Sequence, residues 1–251
     1  MLATGSRLRT WWVLVAEAVI QLPSLAGGQA DSWAALVELA TMFGDNWLLV
    51  GGQMVFLHEI ERDATDVRPS DDVDVVVNLR AEPRGLARIH EALTVAAFSQ
   101  DAPGPDGAAH RYRRGTALID VLAPDNVGER AQLTLGAGRT IEAPGTTQAF
   151  QRSGIVTVEV GGASAEIHRP NLVGALIGKA SAVAKIASQS AASRAKHLGD
   201  FDSLARLLGP DDRASADLSK SERKLLGQLA DSPGLSELGR AAIDALVGRA
   251  S

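Results

Sequence analysis

The chain has 251 residues, no cysteine and a formal net charge of −5. Its 45% hydrophobic and 22% charged residues are typical of a folded globular protein and exclude an intrinsically disordered chain. The absence of cysteine excludes disulfides and thiolate metal sites and fits a reducing compartment. The mildly acidic total excludes binding of nucleic acid by bulk charge, but it is compatible with a local basic face. We expect a cytoplasmic protein with one large domain or two modest ones.

The N-terminal apolar segment, residues 1–30, has arginines before an apolar run, a pattern that loosely resembles a signal peptide. Glu17 interrupts that run, which is also too short to span a bilayer. We therefore expect a helix or strand that packs on the domain, and no membrane partner. The alternatives are a signal-like segment and a start codon annotated too far upstream.

The next part of the chain alternates between helix and strand patterns. Helical spacing of apolar residues predicts helices at 31–44, 53–63 and 82–98. Short apolar runs predict strands at 46–52 and 72–79, and further strands within 110–124, 139–145, 155–160 and 165–170. This order predicts an α+β fold with a mixed β-sheet and helices, in a domain that spans residues 31–169.

From residue 170 onward the pattern becomes helical. Four successive runs with apolar residues at helical spacing lie at 171–187, 193–209, 219–231 and 236–249. We place a boundary at 169–171 and predict a helical domain over residues 170–251.

Three aspartates stand inside apolar segments that predict strands. Asp72 and Asp74 alternate with valines in "DDVDVVV", so both side chains project from one face of the strand while Asp71 points to the other. Asp120 lies within "ALIDVLAP", where an unpaired acid would be costly. A strand there could run beside the strand of Asp72 and bring a third carboxylate to the same end. Neighbouring carboxylates repel one another and favour a divalent cation with a preference for hard oxygen ligands.

The same features have structural alternatives. A D-x-D pair can be a solvated strand end, and Asp120 can accept hydrogen bonds from a turn or from Arg113 or Arg114. Gly51 and Gly52 separate an apolar strand pattern from a helical one. They can form a tight turn, or they can let backbone N–H groups approach an anion at the helix N-terminus. The sequence has neither a P-loop nor a dinucleotide-binding glycine motif.

Together these features resemble the nucleotidyltransferase superfamily with the DNA polymerase β-like fold. In that family a Gly-Gly or Gly-Ser turn opens a helix, a D-x-D strand follows, and a third acid lies on a later strand. The segment "RPSDDVD" is similar to the R-x-[ST]-x-D-x-D segment of AbiEii-type nucleotidyltransferase toxins and related mycobacterial tRNA nucleotidyltransferase toxins. The matching residues, including those of the helical part, are Arg68, Ser70, Asp72, Asp74, Lys179, Lys196 and Asp200.

The resemblance covers residues 45–210 and has two departures from the family pattern. The interval from Gly52 to Asp72 is longer than in the most compact members. Asp202 competes with Asp200 for the helical role; we favour Asp200 because it follows Lys196 by four residues, on the same helix face.

The resemblance implies transfer of an NMP group from an NTP, with two Mg²⁺ ions as cofactor. The catalytic residues that it implies are Asp72, Asp74, Asp120, Lys179 and Asp200, of which the first three also bind the metal and Asp120 can act as general base. The residues that it implies for NTP binding are Gly51, Gly52, Arg68 and Ser70, with Lys179 as a further phosphate contact. The alternative interpretation of Lys179 is a solvated helix lysine.

The acceptor that the resemblance implies is a tRNA 3′ end, with the protein as the toxin of a toxin–antitoxin system and a cognate antitoxin as partner. RNA would dock on a local basic patch, "HRYRR" at 110–114 with Arg80, Arg84 and Arg88, where the tyrosine could stack on a base. A solvated face of a β-hairpin explains this segment equally well. The alternatives are a small-molecule acceptor such as an aminoglycoside, a protein acceptor, and a catalytically silent binding module of the same fold. The histidines show no metal-binding spacing and are interpreted as structural or surface residues.

Overall fold

The computed structural model describes residues 19–68, 70–128, 133–185 and 190–249. The strands are β1 (Val19–Gln21), β2 (Trp47–Val50), β3 (Asp72–Val77), β4 (Ser99–Gln100), β5 (Arg111–Arg114), β6 (Ala117–Pro124), β7 (Thr134–Leu135), β8 (Gly138–Arg139), β9 (Glu142–Ala143), β10 (Ser153–Val160) and β11 (Ala163–Pro170). The helices are α1 (Gly27–Phe43), α2 (Gly51–Glu61), α3 (Gly85–Val95), α4 (Thr146–Gln151), α5 (Leu172–Lys185), α6 (Ala191–Arg206), α7 (Pro210–Ala214), α8 (Lys220–Ala230) and α9 (Glu237–Val247). The predictions for residues 1–18 lie outside the described residues.

A central mixed sheet organises the first part of the chain, as the sequence predicts. Its strand order is β2-β3-β6-β5-β4, with β9 added beside β6. β3 and β6 run parallel, whereas β2 and β5 run antiparallel to their neighbours. The valines of β3 are buried, which is typical of a strand covered on both faces. The predicted α+β class with a helical C-terminal part is therefore confirmed.

One row of residues crosses the central sheet near one end. Val50 of β2 pairs with Asp74 of β3, Asp74 pairs with Asp120 of β6, and Asp120 pairs with Arg111 of β5. Residues that pair across neighbouring strands project to the same face. The sheet thus places two carboxylates and a guanidinium side by side.

The strands near residues 155–170 form a separate sheet, which the sequence did not predict. β10 and β11 make an antiparallel hairpin, and β1 adds to β10 in parallel. The hairpin turn contains Gly161 and Gly162, both with positive φ. Two glycines in the left-handed region favour a two-residue hairpin, so these strands pair locally instead of joining the central sheet.

Several helix boundaries also differ from the prediction. α2 begins at Gly51, so the glycine pair forms its first residues. α3 begins only at Gly85 because the segment around Pro83 forms a turn, and α1 begins at Gly27, one turn earlier than expected. The short helices α4 and α7 were not predicted.

The hydrophobic core runs through both parts of the chain. A single cluster of buried residues extends from Ile20 to Leu246 and includes Trp33 and Trp47 as fully buried anchors. Phe201 of α6 belongs to this cluster together with side chains of the central sheet. The domain division near 170 stays a prediction. In the described ranges, none of the helices has both the length and the apolar character required to traverse a bilayer.

A buried polar cluster joins α2 to the end of β11. The Nε2 atom of His58 donates to the Pro170 carbonyl at 3.1 Å, and the Arg169 guanidinium donates to the same imidazole and to Glu61. Burial lowers the pKa of His58 to about 4, with a further contribution from the Arg169 charge. The imidazole is therefore neutral in the folded protein and serves as both donor and acceptor.

We expect this cluster to make the fold sensitive to acid. A His58 pKa near 4, against 6.5 in the unfolded chain, means that the unfolded state binds the proton more tightly. The contribution of His58 to the free energy of unfolding should therefore fall by roughly 3 kcal/mol as pH falls from 6.5 to about 4. The contribution of Asp74, whose pKa is raised to about 7, should rise over the same window. Urea titrations at several pH values measure the free energy of unfolding. His58→Gln, whose amide can both donate and accept, should lack the His58 contribution, so the difference in free energy of unfolding between the natural chain and the variant should fall as pH falls through that window; a difference that does not change with pH would contradict the assignment.

Candidate active site

Three carboxylates meet at one end of the central sheet. Asp74 and Asp120 are direct register partners on the parallel strands β3 and β6, and Asp72 lies two residues before Asp74 on the same face. The Asp120 side chain is 7% exposed and that of Asp72 is 25% exposed. The predicted juxtaposition of the third acid with the D-x-D strand is confirmed. Asp71 is exposed, as expected for the opposite face.

Asp74 is the acid of this group whose negative charge is least compensated. Burial and the neighbouring carboxylates of Asp72 and Asp120 raise its pKa to about 7, against the opposing effect of Lys179 and Lys196. Within the described residues, its carboxylate has no hydrogen-bond donor. A half-buried acid with carboxylate neighbours favours an added cation. The oxygen donors of Asp72 and Asp74 therefore fit a hard divalent ion such as Mg²⁺.

Asp120 is held by Arg111. The guanidinium donates from Nε and Nη2 to the two oxygens of Asp120, at 2.7 and 2.6 Å, and Nη2 lies 3.6 Å from Oδ2 of Asp72. Arg113 and Arg114, the partners that the sequence suggested, pair with other acids instead. The reason is register, because Arg111 alone of the three faces Asp120 across the β5–β6 ladder.

The Arg111 pair bears directly on the predicted metal ligands. Nowhere in the described ranges do three His, Asp or Glu side chains form a preformed metal centre. Both oxygens of Asp120 are engaged by the guanidinium, whereas the carboxylate of Asp74 is not. The three-carboxylate metal site stays a prediction, and Asp72 with Asp74 is the part of it that fits a cation in this geometry.

The glycine pair lets α2 begin directly against the acids. Gly51 has φ +69°, and a Cβ atom there would overlap the carboxylate of Asp74. A Cβ atom at Gly52 would clash with the Ser70 hydroxyl. Gly51 therefore makes the turn with positive φ and allows the close approach of Asp74, whereas the approach of the backbone to a ligand anion stays a prediction. The first turn of α2, whose N–H groups have no partner within the helix, thus begins next to Asp74.

A buried network fixes the loop that precedes β3. Ser70 donates from Oγ to Oδ1 of Asp72 at 2.8 Å, while the Gln53 amide of α2 donates to the Ser70 carbonyl. Gln53 in turn accepts a hydrogen bond from the indole of Trp33 at 2.7 Å. Burial alone would raise the pKa of Asp72, but the hydrogen bond from Ser70 and the charge of Lys196 lower it. Asp72 is therefore held ionised beside Asp74.

The helical residues of the predicted site lie together across α5 and α6. Asp200 is 1% exposed and accepts from Lys179 Nζ at 2.8 Å and from the Arg68 guanidinium. Lys179 is itself 5% exposed, so its interpretation as a solvated helix lysine is wrong. Asp202 instead accepts hydrogen bonds from the backbone and hydroxyl of Ser236 at the start of α9. The choice of Asp200 over Asp202 is consistent with this geometry.

An apolar cleft opens beside the acids. It has a cavity volume of about 170 Å³ and lies between the end of the central sheet and α5. Its apolar lining includes Met54, Leu122, Ile141, Pro144, Ala149 and Ala175, and its polar lining includes Asp74, Lys179 and His197. A mostly apolar concavity with a few convergent polar groups is the usual form of a small-molecule site.

His197 is a candidate site residue that the sequence interpretation missed. It lines the cleft, and its buried Nδ1 has no hydrogen-bond partner in the described parts of the chain. Burial and the charge of Lys179 lower its pKa. The sequence feature that could have identified His197 is its position three residues before Asp200, which places both on the same face of α6.

The predicted basic patch at 110–114 does not present a stacking surface. Tyr112 is fully buried and its hydroxyl bonds to His90 at 2.7 Å, so the prediction of base stacking on this tyrosine is wrong. Arg113 pairs with Asp101, and Arg114 pairs with Glu38 and lies over the ring of Phe98. The charges of this strand are largely balanced by acids.

Comparison with known proteins gives no match: no family model, no curated protein and no solved structure is significantly similar to the chain. Any functional conclusion therefore depends on the residues and their geometry.

The fit of Gly51 against Asp74 can be tested by substitution. Gly51→Ala should lower the free energy of unfolding by at least about 2 kcal/mol, because alanine is strained at positive φ and its Cβ meets the carboxylate. Gly178→Ala is the matched control: it lies in α5 on the same cleft, where an added Cβ meets nothing within 4 Å. It should leave stability unchanged or raise it by about 0.5–1 kcal/mol. Equal losses in urea titrations would contradict the close approach.

The Lys179–Asp200 pair should also contribute measurably to stability. Lys179→Met leaves Asp200 buried with Arg68 alone and should cost about 3 kcal/mol. Lys185→Met on the same helix removes a lysine whose side chain is 55% exposed and should cost less than about 0.5 kcal/mol. Thermal and urea unfolding of the two variants measure the difference; comparable costs would show that Lys179 is not a buried partner.

Proposed function

We propose that the protein is an Mg²⁺-dependent nucleotidyltransferase of the polymerase β-like fold that transfers an NMP group from an NTP to an acceptor. The observation that carries this proposal is the pairing of Asp74 with Asp120 on parallel strands, with Asp72 on the same face. The start of α2 at Gly51 lies against these acids. A helix N-terminus, a pair of carboxylates and an apolar cleft thus lie close together, which supports a site for a triphosphate and its cation.

Different groups of the chain would bind the triphosphate and position the residues around it. The N–H groups of the first turn of α2 would bind phosphate oxygens, and Gly51 and Gly52 allow that approach. Lys179 lies on the wall of the cleft and, through its pair with Asp200, is held in one position. Ser70 orients Asp72 by its hydrogen bond and is thus a positioning residue in this geometry.

Asp72 and Asp74 would hold Mg²⁺, which when bound neutralises the phosphates and stabilises the charge that develops on the leaving oxygen. Asp120 lies beside Asp74 and, once released from Arg111, could take the proton of the acceptor hydroxyl. The apolar cleft next to Asp74 would exclude water from the nucleoside portion of the substrate.

For the acceptor we propose a tRNA 3′ end, in the role of a toxin, on the strength of the sequence resemblance of the segment at 68–74. The structure offers this choice no separate support, since Tyr112 is buried and the neighbouring arginines are paired. A transfer assay therefore has to distinguish between tRNA, protein and aminoglycoside as the acceptor.

The decisive assay incubates the purified chain with each labelled NTP, Mg²⁺ and total tRNA, and in parallel with protein or an aminoglycoside. We expect label on tRNA. Asp72→Asn should reduce transfer by at least about 100-fold because it removes a charged ligand from the site. Asp71→Asn is the matched control: it makes the same chemical change at the adjacent exposed position and should leave transfer unchanged.

Label on protein or drug alone would overturn the tRNA assignment and keep the enzyme class. No transfer with any NTP and any acceptor, from chain shown to be folded by its thermal transition, would overturn the proposed function.

A further inference from the structure

Arg111 occupies the position that a cation would take at Asp120. Its Nε and Nη2 atoms bind the two oxygens of that carboxylate at 2.7 and 2.6 Å, which is the geometry of a bidentate ion pair. The Nη2 atom also lies 3.6 Å from Oδ2 of Asp72. One side chain thus bridges two of the three acids, and it supplies positive charge where they would otherwise repel.

The pairing is specific to this arginine. Arg113 projects from the same face of β5 but pairs with Asp101. Arg111 is fixed opposite Asp120 by the ladder between β5 and β6. Asp120 is 7% exposed, so an unpaired charge there would be poorly solvated and the guanidinium is strongly favoured in the absence of another cation.

The Arg111 side chain has room to leave. It is 33% exposed, in contrast to the nearly buried side chain of Arg169, so its guanidinium can reach solvent while the strand stays in place. A guanidinium stays protonated throughout the accessible pH range, so only movement of the side chain frees Asp120. Lys196 on α6 is a second nearby cation whose charge acts on Asp72 and Asp74.

We propose that Arg111 is a tethered cation that competes with a divalent ion for Asp120. In the absence of substrate the site then holds a divalent ion through Asp72 and Asp74, and a second ion requires Arg111 to release Asp120. This inference rests on the proposed function, which supplies the metal ion, and it specifies that Arg111 limits how many ions the acids bind. Arg111 is a positioning residue for Asp120, and the released guanidinium is placed to meet an anionic substrate.

The test is the number of Mn²⁺ ions bound per folded chain without NTP, measured from free Mn²⁺ by electron paramagnetic resonance. We expect one ion for the natural chain and two for Arg111→Met, which keeps the aliphatic stem and removes the guanidinium. Arg113→Met is the matched control, since it removes the same charge from the same strand away from Asp72 and Asp120. It should bind one ion with unchanged affinity.

A double variant locates the added ion. Asp120→Asn in the Arg111→Met background should return the number of ions to one. Arg111→Lys keeps the charge but loses the bidentate geometry, and it should bind the second ion more weakly than Arg111→Met does. This variant also provides the comparison if Arg111→Met fails to fold, because any gain in Mn²⁺ binding over the natural chain supports the competition.

The outcomes separate the two claims. If the natural chain, Arg111→Met and Arg111→Lys bind the same number of ions with the same affinity, Arg111 does not compete, and the proposed function stands. If none of them binds Mn²⁺ without NTP although all are folded, the competition fails, and the proposed function is decided separately by the transfer assay, because substrate phosphates supply part of the ligands of the ion. If Arg113→Met gains as much Mn²⁺ binding as Arg111→Met, the gain comes from the change in net charge, and the proposed role of Arg111 is overturned.

Discussion

The register between β3 and β6 is the constraint on which the rest of the site depends. It sets Asp74 and Asp120 one strand spacing apart. The two carboxylates repel each other, and other interactions of the fold must offset this repulsion. A one-residue slip would turn either carboxylate to the other face of the sheet. The valines of β3 and the apolar residues of β6 are buried, and this burial makes such a slip unfavourable.

The charges around this row are balanced from three directions. Arg111 of β5 pairs with Asp120, and the charge of Lys179 on α5 acts on Asp74. Ser70, in the loop before β3, donates a hydrogen bond to Asp72. Asp200 in turn pairs with Lys179 of α5 and with Arg68 of that loop, so it positions two cations that would otherwise repel each other. The site is thus a network in which each acid has a defined cation or hydroxyl neighbour except Asp74, whose pKa is raised accordingly.

The sequence predicted the parts of the fold that depend on local periodicity. The alternation in "DDVDVVV" identified the face shared by Asp72 and Asp74, and helical spacing placed Asp200 one turn after Lys196. It could not identify Arg111 as the partner of Asp120, because that pairing depends on the register of a strand pair formed at long range. It also missed His197 and the separate sheet of β10 and β11, since both depend on how elements pack rather than on their own patterns.

The pair between Arg68 and Asp200 joins residues 132 positions apart in the chain. During synthesis, the loop before β3 therefore leaves the ribosome long before the acid that orders it exists. The nascent chain can form the central sheet early, but this half of the site assembles only after α6 has emerged. A chain interrupted before that point carries all three strand carboxylates and lacks Asp200. For the proposed enzyme, emergence of α6 from the ribosome would thus be a precondition of activity.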